Sequence, residues 1–178
     1  GLDTVLDERA AATLCYTSGT TGRPKGVLYD HRSILLHTMM LLAADSFGIC
    51  EADVVMPIVP MFHVNAWGLP HAALMAGADL SLPGPAMEPG LLADQLVDDR
   101  VTLVGAVPSV WRAILPHAEG RDLSGIRKAI CGGGAMPQDL RAAYHRAGLT
   151  LHGAWGMTET SPLVTHARIP VRRTPDSA

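Results

Sequence analysis

Apolar residues fall into two kinds of stretch along this chain: short continuous runs, and longer segments in which they recur every three or four positions. The runs lie at Ala12 to Thr17, Val54-Val55-Met56, Ala78 to Leu82, Val101 to Val107, Leu123 to Cys131 and Thr150 to Ala154, the last strand expected. Their length suits strands buried on both faces. A shorter strand is expected at Val27 to Tyr29. Helical spacing fills the intervals. One helix starts at a cap, Asp30 or Ser33, and runs to about Ala44, with Ile34, Leu35, Met39 and Leu42 as its core face. Others are expected at Val64 to Ala76 with Gly77 as the stop, at Glu88 to Asp99, from Pro108 to His117, and from Met136 to Ala147 before Gly148. Strands alternating with helices of this length predict an α/β fold of βα units on a mostly parallel sheet.

Composition narrows the class. At 178 residues, 48% hydrophobic and 17% charged, the chain can bury one sizeable core. A net charge of −3 and 4% aromatics leave no footprint for nucleic acid. Cys15, Cys50 and Cys131 are far apart and odd in number, which suits reduced thiols in the cytoplasm. No apolar run reaches the ~18 residues that a membrane span needs, and the first residues lack a signal-peptide pattern. The chain lacks an initiator Met and opens just ahead of a strand, so it reads as part of a longer protein.

The first chemistry sits between the first two strands, at Tyr16-Thr-Ser-Gly-Thr-Thr-Gly-Arg-Pro-Lys-Gly-Val27. Thr17, Ser18, Thr20 and Thr21 bring hydroxyls, Gly19 and Gly22 free the backbone, and Lys25 adds a cation. Converging N–H groups, hydroxyls and an ammonium are what a polyphosphate requires. The alternative is a flexible surface loop. A Walker A loop is excluded, because the second glycine would fall on Pro24 and Lys25 is followed by Gly26. A Rossmann fingerprint is absent from the stretch.

Over its whole length this stretch resembles the signature loop of the adenylate-forming superfamily. Two further stretches follow in the superfamily's order. Gly132-Gly133-Gly134-Ala135 lies in a strand-to-helix turn, and His152-Gly-Ala-Trp-Gly-Met-Thr-Glu159 resembles the second hallmark, with Trp155 in place of the usual Tyr. That variation points towards the medium- and long-chain fatty-acyl-CoA synthetases. Pro60-Met-Phe-His-Val-Asn-Ala-Trp67 resembles the segment bordering their acyl pocket. The resemblance covers residues 12 to 165.

It implies the large N-terminal domain of a fatty-acid–CoA ligase, using ATP, Mg²⁺ and CoA as co-substrate. Residues 1–166 would be a partial AMP-binding domain and 167–178 a tail without its own fold, the C-terminal domain being absent. Lys25, Thr158 and Glu159 would be catalytic, with Glu159 the metal ligand. Thr17, Ser18, Gly19, Thr20, Thr21, Gly22 and Lys25 would hold the phosphates. Gly132, Gly133, Gly134, Ala135, Gly153, Ala154, Trp155, Gly156, Met157 and Thr158 would hold the rest of the nucleotide. His63 and Trp67 would contact the fatty acid, the alternatives there being a satisfied core histidine and plain packing. A homodimer of the full-length enzyme stays open. The superfamily's ribose-binding Asp and late catalytic Lys have no counterpart here, which leaves two other readings: a non-catalytic nucleotide-binding fragment, or a ligase for another carboxylic acid.

Overall fold

A computed structural model describes residues 5–19, 22–85 and 87–167. Strands β1 (Ala11–Thr17) and β2 (Lys25–Asp30) form an antiparallel hairpin, with Thr17 opposite Lys25 at its tip. Helix α1 (His31–Leu42) follows without a linker, because the Asp30 carboxylate accepts the Ser33 N–H at 2.7 Å and caps it. Then come β3 (Val54–Pro57), a short turn of helix at Val64–Trp67, α2 (Leu69–Ala76), β4 (Asp79–Leu80) and α3 (Pro89–Asp98). The chain continues through β5 (Leu103–Ala106), α4 (Pro108–Ala118), β6 (Lys128–Cys131), α5 (Gln138–Arg146), β7 (Leu151–Gly156) and β8 (Leu163–His166).

The main sheet has the order β4-β3-β5-β6-β7-β8, parallel from β4 to β7, with β8 antiparallel on β7. Both faces are covered, so successive strand residues enter different cores. Val55, Leu103 and Ile130 face α1 and α2, packing with Leu41, Leu69, Ala72 and Ala73. Met56, Val104, Ala129 and Leu151 face α3, α4 and α5, packing with Leu92, Leu96, Trp111, Ile114, Leu140 and Tyr144. Trp111 joins three elements on this side. Its indole N–H donates to the Ile130 carbonyl at 2.9 Å, and its own carbonyl accepts the Tyr144 hydroxyl at 2.7 Å. The two rings meet edge to face with centroids 5.2 Å apart, the arrangement their quadrupoles favour.

At the start of the strands a polar network closes the sheet. Asp53, buried, accepts the Cys50 N–H at 2.9 Å, the Thr102 hydroxyl at 2.6 Å and two guanidinium N–H groups of Arg127. Arg127 also donates to the Phe47 and Gly48 carbonyls at 3.1 and 2.9 Å. The turn after α1 is thereby tied to β3, β5 and β6.

Three expectations are corrected. The core face of α1 is rotated: Leu35 and Met39 are exposed, while His37, Thr38 and Leu41 are buried. Three-to-four spacing fixes the period of a helix and leaves its phase open, and here the buried polar groups are satisfied. Thr38 donates to the Ile34 carbonyl at 2.7 Å, and His37 accepts a backbone N–H. The helix expected from Val64 to Ala76 is two elements, because Gly68 (φ +72) breaks it. The last strand is β8, beyond the expected end at Ala154. Four residues in the pattern Leu-Val-Thr-His, two of them exposed, carry too little periodicity to announce a strand.

Candidate active site

The strands of a parallel sheet end together, and their C-terminal loops line a cavity of about 230 Å³ here. Its wall brings His63, Val64 and Trp67 from the loop after β3 together with Gly132 and Gly133 after β6 and Ala154 to Thr158 at the end of β7. Phe47, Pro162 and Leu163 complete it. Stretches nearly a hundred residues apart in sequence thus share one cavity. A second, more open groove of about 660 Å³ lies beside it, lined by Gly133 to Met136, Gly153 to Gly156 and Thr165 to Ala167. Gly133, Ala154, Trp155 and Gly156 belong to both.

The segment after β3 has an unusual backbone. Val64, Asn65, Ala66 and Trp67 all take positive φ, between 49° and 59°, forming one left-handed turn. For residues with a Cβ this costs about 1–2 kcal/mol each. Tertiary contacts hold the turn. Val64 and Ala66 are buried, the Asn65 amide donates to the Thr13 hydroxyl at 3.0 Å, and its oxygen accepts from Cys15 Sγ at 3.7 Å. The turn projects Trp67 over the ends of β5 and β6. A Cβ on Gly105 would come within 3.4 Å of the Trp67 ring, and one on Gly132 within 3.2 Å. Gly132 and Gly133 therefore make a slot for the Trp67 indole, and Gly133 also edges the open groove. His63 is exposed at the cavity wall, so it is not a core histidine.

The segment after β7 turns sharply. After Gly156 the chain forms a 3₁₀ turn at Thr158–Thr160 and returns as β8. The Thr160 hydroxyl donates to the Met157 and Pro162 carbonyls at 3.0 and 2.5 Å, closing the loop. Gly156 is required by this return, since a Cβ there would collide with the Pro162 carbonyl. Gly156 also lines both the cavity and the groove. Trp155 is 56% exposed and lines both the cavity and the groove. Thr158 is buried against the cavity, and Glu159 is exposed beside it.

Two side chains support this loop from behind. Tyr29, on β2, donates its hydroxyl to the Thr158 carbonyl. Burial raises the Tyr29 pKa to about 12, with nearby Cys15 and Glu159 adding to it, so the donor keeps its proton. His37, on α1, accepts the Leu163 N–H at Nε2, 3.2 Å away. Burial, reinforced by His71, pushes its pKa down to about 4, which keeps the imidazole neutral and Nε2 free to accept. Neither residue was singled out from sequence, although a histidine interrupting the apolar run of α1 was the available signal.

None of the described residues of the hairpin loop lines either cavity. Thr17 is half-buried, Ser18 and Lys25 are exposed, and Gly19 (φ +65) is tied to the turn because a Cβ would strike the Arg23 carbonyl. Thr20 and Thr21 lie outside the described residues, as does the tail beyond Ala167. No cluster of three or more His, Cys, Asp or Glu able to hold a metal occurs among the described residues. An exposed lone carboxylate such as Glu159 fits Mg²⁺, which binds through one or two carboxylates together with substrate phosphates. No helix among the described residues is long and apolar enough to cross a membrane.

Comparison with known proteins places the chain in a family. The AMP-binding enzyme profile matches residues 2–178, and the chain belongs to that family. It is 46% identical over 172 residues to a 3-methylmercaptopropionyl-CoA ligase of Ruegeria lacuscaerulensis, covering 95% of this chain and 32% of that protein. It is 45% identical over 161 residues to a long-chain-fatty-acid–CoA ligase of Thermus thermophilus, covering 89% and 30%. Among solved structures, it resembles the inhibitor-bound N-terminal domain of FACL13 from Mycobacterium tuberculosis. That match has a TM-score of 0.75 at 29% identity over 85% of this chain and 38% of the other. The α/β fold with its mostly parallel sheet is therefore that of the N-terminal domain of adenylate-forming enzymes. The chain spans about a third of the length of these relatives.

Proposed function

We propose that the protein bearing this chain is an AMP-forming acid–thiol ligase that activates a medium- or long-chain fatty acid for transfer to CoA. The observation that carries the reading is the shared cavity, in which His63 and Trp67 face Trp155 to Thr158. An acyl group and a nucleotide entering from the two sides would meet there. A carboxylate oxygen attacks the α-phosphorus of ATP, the bond to the β-phosphate breaks, and pyrophosphate leaves. The CoA sulfur then attacks the acyl carbonyl carbon and AMP departs.

The protein's contribution to such steps is positioning and charge neutralisation. Trp155 offers its exposed face to adenine, and the strand-end backbone at Gly133 to Ala135, with Gly153 and Ala154, borders the base. Thr158 is read as the contact to the α-phosphate, with Met157 beside it as part of the nucleotide site. Thr17 to Gly22 and Lys25 are read as the residues that take the β- and γ-phosphates. Glu159 would hold Mg²⁺, which would supply positive charge to the phosphate oxygens. Trp67, in its glycine slot, limits the acyl chain, and His63 stands near the carboxylate. Residues 1–166 are read as the AMP-binding domain of this enzyme. The ribose-binding Asp and late Lys that the family resemblance calls for are assigned to other parts of the protein. Free cysteines, two of them buried, support a reducing cytoplasmic setting.

A second acid class is favoured by one observation: a relative named for a short sulfur-containing acid matches as well as one named for long-chain fatty acids. The test is thioester formation by the full-length protein with ATP, CoA and a panel of acids, following AMP and acyl-CoA together. Equal amounts of both with fatty acids support the reading. Turnover confined to the sulfur-containing acid would move the assignment within the family.

A further inference from the structure

We propose that Tyr29 and His37 are positioning residues that clamp the loop bearing Thr158 and Glu159, and so set the efficiency of the adenylation step. The inference rests on the functional reading above but is carried by different contacts. The loop from Met157 to Leu163 leaves β7 and returns as β8, so its direction depends on what holds its two ends. At the leading end the Thr158 carbonyl accepts the Tyr29 hydroxyl, and at the trailing end the Leu163 N–H donates to His37 Nε2. One clamp residue is a donor and the other an acceptor, and both are buried. They belong to consecutive elements, β2 and α1, joined rigidly at the Asp30 cap.

His37 has a second contact. A Cβ on Gly68 would lie 2.7 Å from His37 Nδ1 and 2.8 Å from Cε1, so the imidazole rests directly on the glycine that ends the left-handed turn. One ring thus touches the end of the segment carrying His63 and Trp67 and hydrogen-bonds the end of the segment carrying Thr158 and Glu159. The two walls of the cavity are indexed to each other through α1. A Gln can offer an acceptor near the position of Nε2, whereas a Leu cannot.

The test uses Tyr29→Phe, His37→Leu and His37→Gln in the full-length protein. The first readout needs no activity: amide hydrogen exchange over residues 157–163. Exchange there should quicken about tenfold in Tyr29→Phe and His37→Leu, the loss of one hydrogen bond, with His37→Gln closer to wild type. The second readout is fatty-acid-dependent pyrophosphate release. kcat should fall roughly tenfold or more in Tyr29→Phe and His37→Leu while KM for the acid stays within twofold, and His37→Gln should recover most of it. Unchanged exchange in both variants overturns the clamp. Faster exchange with unchanged kcat overturns its catalytic role, as does a His37→Gln variant no better than His37→Leu. Faster exchange in the variants, with no release from the wild type on any acid, would instead support the clamp and overturn the functional reading.

Discussion

Removing the Asp53 carboxylate gives a prediction whose size can be worked from its contacts. Asp53→Ala deletes the acceptor of the Cys50 N–H, the Thr102 hydroxyl and the Arg127 guanidinium at once. Breaking a buried ion pair by removing one partner costs about 3–5 kcal/mol. The Arg127 side chain is 37% exposed, so solvent reclaims part of its charge, and about 2–4 kcal/mol is the discounted figure. For a chain of this size that corresponds to roughly 5–15 °C in Tm. Burial alone would raise the Asp53 pKa, but the hydrogen bonds from Arg127, Thr102 and Cys50 and the Arg127 charge hold it well below the usual carboxylate range. The sign follows. A depressed folded-state pKa adds stability above the unfolded value near 3.9, and this is lost as pH falls towards the folded value. Denaturant unfolding of wild type and variant at pH 7 and again near pH 3 is the assay. The gap between them should narrow on acidification. A cost below about 1 kcal/mol at pH 7, or a gap that widens with acid, would refute the reasoning.

Glu159→Gln should weaken Mg-ATP binding about tenfold or more while leaving Tm unchanged, because the side chain is exposed; equal affinity by calorimetry would remove it as the metal ligand. Trp155→Ala should cost about 1–3 kcal/mol of nucleotide affinity, with Trp155→Phe retaining most of it, since the rim position offers a stacking face. Trp67→Ala should broaden the acid profile towards longer chains by vacating the slot over Gly105 and Gly132, and an identical profile would refute its role as the chain-length limit.

Much of the sheet was legible because its strands are buried on both faces, and such strands announce themselves as continuous apolar runs. Two caps were legible too: Asp30 and Gly77 stand where a side-chain oxygen and a positive φ are needed. The phase of α1 was not, because His37 and Thr38 look like interruptions until their partners at Leu163 and Ile34 are known. The left-handed turn was invisible for a similar reason. Val64 to Trp67 has ordinary helical composition, and only the anchoring of Asn65 on Thr13 and Cys15 explains its backbone. Of the candidate site, His63, Trp67, Gly132, Gly133 and Ala154 to Thr158 share one cavity, while Lys25 and the described residues of its loop are not among those that line it. Spacing names the chemistry of a loop, but its position depends on contacts distant in sequence.

The most direct test of the central claim is pyrophosphate release by the full-length protein, with ATP, Mg²⁺ and fatty acids of graded length, in the absence of CoA. Release that requires a medium- or long-chain fatty acid is the predicted result. No release with any fatty acid, from protein shown to be folded, would contradict the assignment.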